Sequence, residues 1–178
     1  MQRVGVFLRA INLGGKRLLM ADFKRVLAEV GYPDAQTVVA TGNAVITAGA
    51  ADAGLEAGVE KGLETILGGT TDVFARDGGE LAAIVAGNPF PKMAQDDPSH
   101  LVVVFLREAA TDEGLAALRA KIIGREEVAP GPRCLYASFV DGIGESKLTA
   151  ARIERALKTR GTARNWNTVR KMADLTAS

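Results

Sequence analysis

Two stretches of this sequence pair cations with side-chain amides where an apolar run gives way to a helical pattern. The first is Leu8-Arg9-Ala10-Ile11-Asn12-Leu13-Gly14-Gly15-Lys16, and the second is Thr162-Ala163-Arg164-Asn165-Trp166-Asn167-Thr168-Val169-Arg170-Lys171. Free amides near a helix start, together with Lys or Arg charges, are the parts that hold phosphate or carboxylate groups. Arg164 is the strongest binding candidate, because a planar guanidinium can meet two oxygens of such a group at once and an ammonium cannot. Gly14-Gly15-Lys16 has the makings of an anion cradle. It lacks the spacing and terminal hydroxyl of a Walker loop and the third glycine of a dinucleotide fingerprint. A tight turn with solvated cations is the competing reading of the same residues.

Two shorter stretches share this chemistry. In Asp141-Gly142-Ile143-Gly144-Glu145-Ser146-Lys147 a glycine-rich turn leads toward a helical pattern, so Gly142, Gly144, Ser146 and Lys147 are candidate ligand contacts. Capping the helix is the simplest role for Ser146. Thr41-Gly42-Asn43 joins two strand-like runs and offers a hydroxyl (Thr41) and an amide (Asn43). Trp166 heads an apolar helix face and reads either as core or as a ring on which a ligand stacks.

Reacting groups are harder to find than binding groups. No histidine or second lysine stands beside Ser146 to activate it. Glu145 is the best local candidate for a general base. His100, the only histidine, precedes a strand and has no partner visible in the sequence. Cys134, the only cysteine, lies in an apolar run, which predicts a buried thiol in a reducing, cytoplasmic setting. No His, Cys and carboxylate spacing suggests a metal site, and no Ser-His-acid order suggests a triad. The catalytic residues therefore stay unassigned, and no metal or cofactor is expected.

The elements that must position these residues follow from periodicity. Val4-Gly5-Val6-Phe7-Leu8 reads as a buried strand, and Met20, Phe23, Val26, Leu27 and Val30 recur at helical spacing before Gly31. Thr37–Ala40 and Ala44–Thr47 read as a hairpin, Leu55 to Leu67 as a second helix, and Val73-Phe74-Ala75 as a fourth strand. Glu80 to Ala86 adds a helix. The second half repeats this order: a strand over Leu101–Leu106, a helix over Asp112–Ile123 capped by Thr111, and two strands around Pro130-Gly131-Pro132. A helix over Lys147–Lys158, an edge strand over Thr162-Ala163-Arg164 and a last helix from Asn165 complete it. The fold class is α+β, with two ferredoxin-like (split β-α-β) halves in tandem, each followed by an extra helix. They span residues 1–90 and 98–178, and a linker over 91–97 is expected to be irregular because of Pro89 and Pro91 and the polar Gln95-Asp96-Asp97-Pro98 that follows.

At 178 residues the chain can bury roughly 70% of its extended surface without disulfides. The net charge of +1 hides an asymmetry: residues 1–25 carry six Lys and Arg against Asp22, and 145–171 carry eight against Glu145 and Glu154. The span 26–144 carries eight against seventeen acids, so both basic ends can meet either an anionic partner or the acidic middle. The run ending at Arg9 is too short for a signal peptide or a membrane span, so no membrane partner is expected.

The words LRAINLGGK with Met20-Ala21 following, TGNAV at 41–45, NPF at 88–90, DGIGESKL at 141–148 and ARNWNTVRKMADL at 163–175 resemble an uncharacterised bacterial family, domain of unknown function 1697. Ala10 stands where the family usually has Gly, and Thr41 where it usually has Ser. The resemblance implies a soluble α+β protein with two ferredoxin-like portions and no established activity.

In a ferredoxin-like unit strands one and two end along one edge, so the Asn12–Arg17 loop is expected near Thr41-Gly42-Asn43. Strands three and four share the opposite edge, which should bring Asp141–Lys147 to Arg164-Asn165-Trp166. Docked edge to edge, the two clusters would form one cleft between the halves. The function expected is binding of a small anionic ligand, phosphate- or carboxylate-bearing, there. An enzyme acting on a phosphorylated or activated substrate is the alternative. Nucleic-acid binding is a weaker one, since the inner strands offer Phe7 but no pair of aromatics for base stacking. An exposed sheet face would leave room for a homodimer.

Overall fold

The computed structural model describes residues 1–9, 12–13, 16–39 and 42–177, without the side chains of Asn12, Leu13 and Lys16. Gly14, Gly15 and Thr41 therefore lie outside the described residues. The chain divides into two compact units: Met1–Ala82 with Met172–Ser178, and Ala83–Lys171.

The first unit begins with β1 (Gln2–Leu8), the two-residue strands β2 (Asn12–Leu13) and β3 (Lys16–Arg17), and α1 (Met20–Glu29). Then come β4 (Gln36–Val38), β5 (Asn43–Ala48), α2 (Ala53–Leu67) and β6 (Val73–Asp77). Its main sheet runs β4-β5-β1-β6 with antiparallel neighbours. Val4, Val6 and Leu8 point to one face, where Phe23, Val26 and Leu27 of α1 and Leu55, Val59 and Leu63 of α2 complete a core. Helix α1 opens at Met20, four residues after Lys16, and β2 and β3 pair with each other. Gly62 lets the helices approach, because a Cβ there would stand 2.7 Å from Val30 Cγ1 and 2.9 Å from Val26 Cγ1.

Strand β6 ends the sheet, and its outward amides are all taken by carboxylates. Val73 N donates to Glu60 Oε1 (2.9 Å), Ala75 N to Glu56 Oε1 (2.8 Å) and Asp77 N to Glu80 Oε2 (2.9 Å). Such capping satisfies the strand's unpaired groups and closes the edge to other strands. Glu80 N returns a bond to Asp77 Oδ1 (2.8 Å), so the two residues form a capping box for α3 (Gly78–Ala86).

The second unit continues with α4 (Pro91–Asp96), a 3₁₀ turn at Pro98–His100, β7 (Leu101–Leu106) and α5 (Asp112–Arg119). The stretch expected to be irregular thus forms a short helix: Pro91 takes its first turn, where a missing N–H costs nothing. Thr111 caps α5, accepting from Gly114 N at 3.0 Å. This helix stops before Ile123 because Lys121 N and Ile122 N bond back to Leu118 O and Arg119 O, the i→i−3 pattern of a tightened end.

Strands β8 (Glu127–Gly131) and β9 (Cys134–Ser138), helix α6 (Ala150–Leu157), strand β10 (Gly161–Asn165) and helix α7 (Trp166–Thr176) follow. The sheet order is β10-β7-β9-β8, again with antiparallel neighbours. Val102, Val104, Leu106 and Leu135 share a core with Leu115 and Leu118 of α5 and Ile153 and Leu157 of α6. Both halves are thus α+β, with the same sheet order and the same succession of main strands and helices, to which the first half adds the β2–β3 pair. Helix α6 starts three residues later than the sequence suggests, because Thr149 rather than Ser146 caps it, accepting from Arg152 N. Among the described residues no helix is long and apolar enough to cross a membrane.

Candidate functional site

A recess of about 560 Å³ opens beside the edge strand β10 in the second unit. Val102, Val104 and Ile153 floor it, while Ser99, Ser146, Thr149 and Asn165 bring polar groups to its walls. Helices α6 and α7 both begin at its margin, at Thr149-Ala150 and at Asn165. Each helix start favours a negative charge by roughly 0.3–1 kcal/mol when exposed. Asn165 Oδ1 caps α7 by accepting from Thr168 N at 3.0 Å.

The Asp141–Lys147 turn and the Arg164 motif meet at this recess in part. Gly144, Ser146, Arg164 and Asn165 line it, whereas Gly142 and Lys147 do not. Lys147 and Glu145 are exposed, and Gly142 turns the chain with a positive φ of 92°. Ser146 Oγ donates to Glu126 Oε1 and accepts from Leu148 N at 3.0 Å. The hydroxyl holds the Glu126 carboxyl below the ordinary glutamate range. A carboxylate of lowered basicity is a weak partner for deprotonating a serine, and the bond fixes the turn.

Arg164 is 8% exposed and stands opposite Val103 in the register, so its stem shares a face with Thr162 rather than with Ala163 and Asn165. Its Nη1 turns to the sheet edge and donates to Thr162 Oγ1 and Ala163 O, both at 2.8 Å. Burial pulls this guanidinium down to about 10, which leaves it charged at neutral pH. Asp141, in the turn that borders the recess, is held by the fork of Arg125, whose Nε donates at 3.0 Å. Among the described residues Glu154 is the only carboxylate lining the recess, and its Oε1 accepts from Gly161 N at 3.2 Å.

Trp166 is buried and does not line this recess. It borders a separate shallow depression with Val85, Pro91 and Arg170. Lys171 is exposed on α7.

In the first unit, Arg9 Nη1 donates to Asp72 Oδ2 at 3.0 Å, and Leu8 N to Gly42 O at 2.9 Å, so the end of β1 does lie beside the hairpin. Asn43 is fully buried, and its Nδ2 donates to Val38 O at 3.2 Å. That bond ties the two hairpin strands together. Phe7 is fully buried and gives no platform on which a base could stack.

Sequence reasoning missed the cluster before β7. Asp97 accepts from Ser99 Oγ (2.9 Å) on one oxygen and meets His100 Nδ1 (2.5 Å) on the other. The Asp-Pro-Ser-His spacing is its only signal, since i and i+3 meet in a 3₁₀ turn. These donors, His100 first, lower the Asp97 carboxyl below its ordinary value. Serine and histidine both face the carboxylate, which is not the serine-to-histidine chain of a nucleophilic triad. Among the described residues no group of three His, Cys, Asp or Glu could hold a metal ion.

A solved structure, that of the conserved bacterial protein SP0830 from Streptococcus pneumoniae, is similar over 98% of each chain, with a TM-score of 0.71 and 18% identity. At that identity the likeness speaks to the fold alone. No functionally curated protein matches the sequence. The model of a family described as protein of unknown function, DUF1697, matches residues 1–136, from β1 through most of β9. The chain belongs to this DUF1697 family of proteins of unknown function.

Proposed function

We propose that the protein binds a small anionic ligand, phosphate- or carboxylate-bearing, in the recess beside β10, wholly within the second half. The observation that carries this reading is the coincidence of two helix starts, at Thr149-Ala150 and Asn165, with the buried Arg164 at one apolar-floored recess. Positive ends and a guanidinium favour an anion. Val102, Val104 and Ile153 suit an apolar body attached to it. The same reading takes each half as a ferredoxin-like unit, supported by the β-α-β-β-α-β order and the antiparallel sheets. A buried single cysteine supports a reducing, cytoplasmic setting.

The test is a thermal-shift and calorimetric screen of small carboxylates and phosphate esters against the full chain and Ala150→Trp, which fills the recess mouth. Binding that weakens at least tenfold in a variant with unchanged circular dichroism is expected. Failure of every anion to bind, or equal binding to Ala150→Trp, overturns the reading.

A further inference from the structure

The last strands of the two halves correspond residue by residue. In the register, Val73 opposes Leu8 and Ala75 opposes Val6, as Gly161 opposes Leu106 and Ala163 opposes Val104. Arg76 therefore corresponds to Arg164. Each donates from Nη1 to the carbonyl of the residue before it, Arg76 to Ala75 O at 2.7 Å and Arg164 to Ala163 O at 2.8 Å. The helices correspond as well. Val59, Glu60 and Leu63 of α2 match Ile153, Glu154 and Leu157 of α6, the apolar members lying in their cores. Glu60 accepts from Val73 N, and Glu154 accepts from Gly161 N.

The correspondence fails at one position. One turn before Glu60, Glu56 accepts from Ala75 N at 2.8 Å, and its carboxylate lies 3.9 Å from Arg76 Nη1. One turn before Glu154 stands Ala150, the first residue of α6. The bond from Arg107 N to Arg160 O sets the phase of the ladder and points Ala163 N outward, as Gly161 N does. No acceptor among the described residues takes Ala163 N. Ala150 and Ala163 both line the recess. The recess therefore lies where a side-chain carboxylate sits in the other half.

We propose that the ligand supplies this missing group. A carboxylate on a small molecule with an apolar body accepts from Ala163 N and lies beside the Arg164 guanidinium, as Glu56 does with Ala75 N and Arg76. The apolar body rests on Val102, Val104 and Ile153. This rests on the reading above and narrows it from anions in general to carboxylates held by the edge of β10. The chemistry is that of a backbone amide plus a guanidinium meeting a planar two-oxygen group. Ala150→Glu restores the side chain that α2 has, and so competes with the ligand from within.

The experiment follows the backbone amides of the full chain by nitrogen-15 NMR, with 4-phenylbutyrate as probe, its amide as uncharged control and inorganic phosphate as the second anion. With 4-phenylbutyrate the Ala163 amide resonance is expected to shift and saturate, while 4-phenylbutanamide binds at least tenfold more weakly. In Ala150→Glu the Ala163 amide is expected to exchange with solvent at least tenfold more slowly without ligand, and the probe no longer shifts it. Phosphate binding at the recess with an unmoved Ala163 amide under 4-phenylbutyrate overturns the carboxylate assignment and leaves the anion site standing. Unprotected Ala163 in a folded Ala150→Glu overturns the correspondence itself. An unchanged affinity for the uncharged amide, or an extended peptide that shifts the whole of β10 where the carboxylate does not, also overturns the proposal.

Discussion

Replacing Glu56 with alanine tests whether edge-strand amides are held by helix carboxylates. Glu56 is 3% exposed, and Glu56→Ala removes the acceptor of Ala75 N together with a negative charge 3.9 Å from the fully buried Arg76. A buried amide left without its acceptor costs about 1–3 kcal/mol. Breaking a buried ion pair by removing one member costs about 3–5 kcal/mol, because the other charge is left buried and uncompensated. The larger range is therefore the expectation for Glu56→Ala. Glu56→Gln keeps an acceptor oxygen and loses only the charge, so it should cost less, by about the 1–3 kcal/mol of the retained hydrogen bond.

Because the chain forms two compact units, a single unfolding curve averages over both. Urea unfolding should therefore be paired with hydrogen exchange of the amides in β6. Glu56→Ala should lower the free energy protecting Ala75 by the full amount, and Glu56→Gln by less. A Glu56→Ala variant within about 1 kcal/mol of the parent protein would refute the role of Glu56 as a buried partner of Ala75 N and Arg76. Equal effects of the alanine and glutamine variants would refute the role of the acceptor oxygen.

Two further outcomes check other parts of the structure. Gly62→Leu drives a side chain into Val26 and Val30, whose β-branched stems have little room to turn, and should destabilise the first unit by about 1–3 kcal/mol in denaturant unfolding. The Asp97 carboxyl, held mainly by His100 and then by Ser99, should titrate below its ordinary 3.8 when followed by carbon-13 NMR. Its stabilising contribution is then complete above the unfolded value and disappears as pH falls through the lowered native one. In His100→Ala the titration should move back up, and no movement would show that the histidine is not the main cause.

Much of the architecture was legible because periodicity reports burial. The 2-residue and 3.6-residue patterns gave four strands and two helices in each half, and Thr111 was recognisable as a cap from its place before Asp112 and Glu113. Boundaries failed where a local bond outcompeted the pattern, as when Ser146 turned to Glu126 and left Thr149 to start α6. The surroundings of Arg164 and Asn43 were not legible, because polar residue type says nothing about partners. Register and burial show that Arg164 turns to a neighbouring carbonyl at the edge of β10 and that Asn43 clasps its own hairpin.

The sequence by itself determined the repeated order of elements, since that order needs only hydrophobic spacing and turn residues, which are local. Only the tertiary structure decided that Ala163 carries an outward amide at a recess while its counterpart Ala75 is covered by Glu56. That difference depends on which strand ends the sheet, on the phase of its hydrogen bonds and on which helix residue stands over each outward amide. These are relations between residues far apart in the chain. The Arg164 motif thus includes an alanine whose outward backbone amide, at the edge of β10, faces the recess.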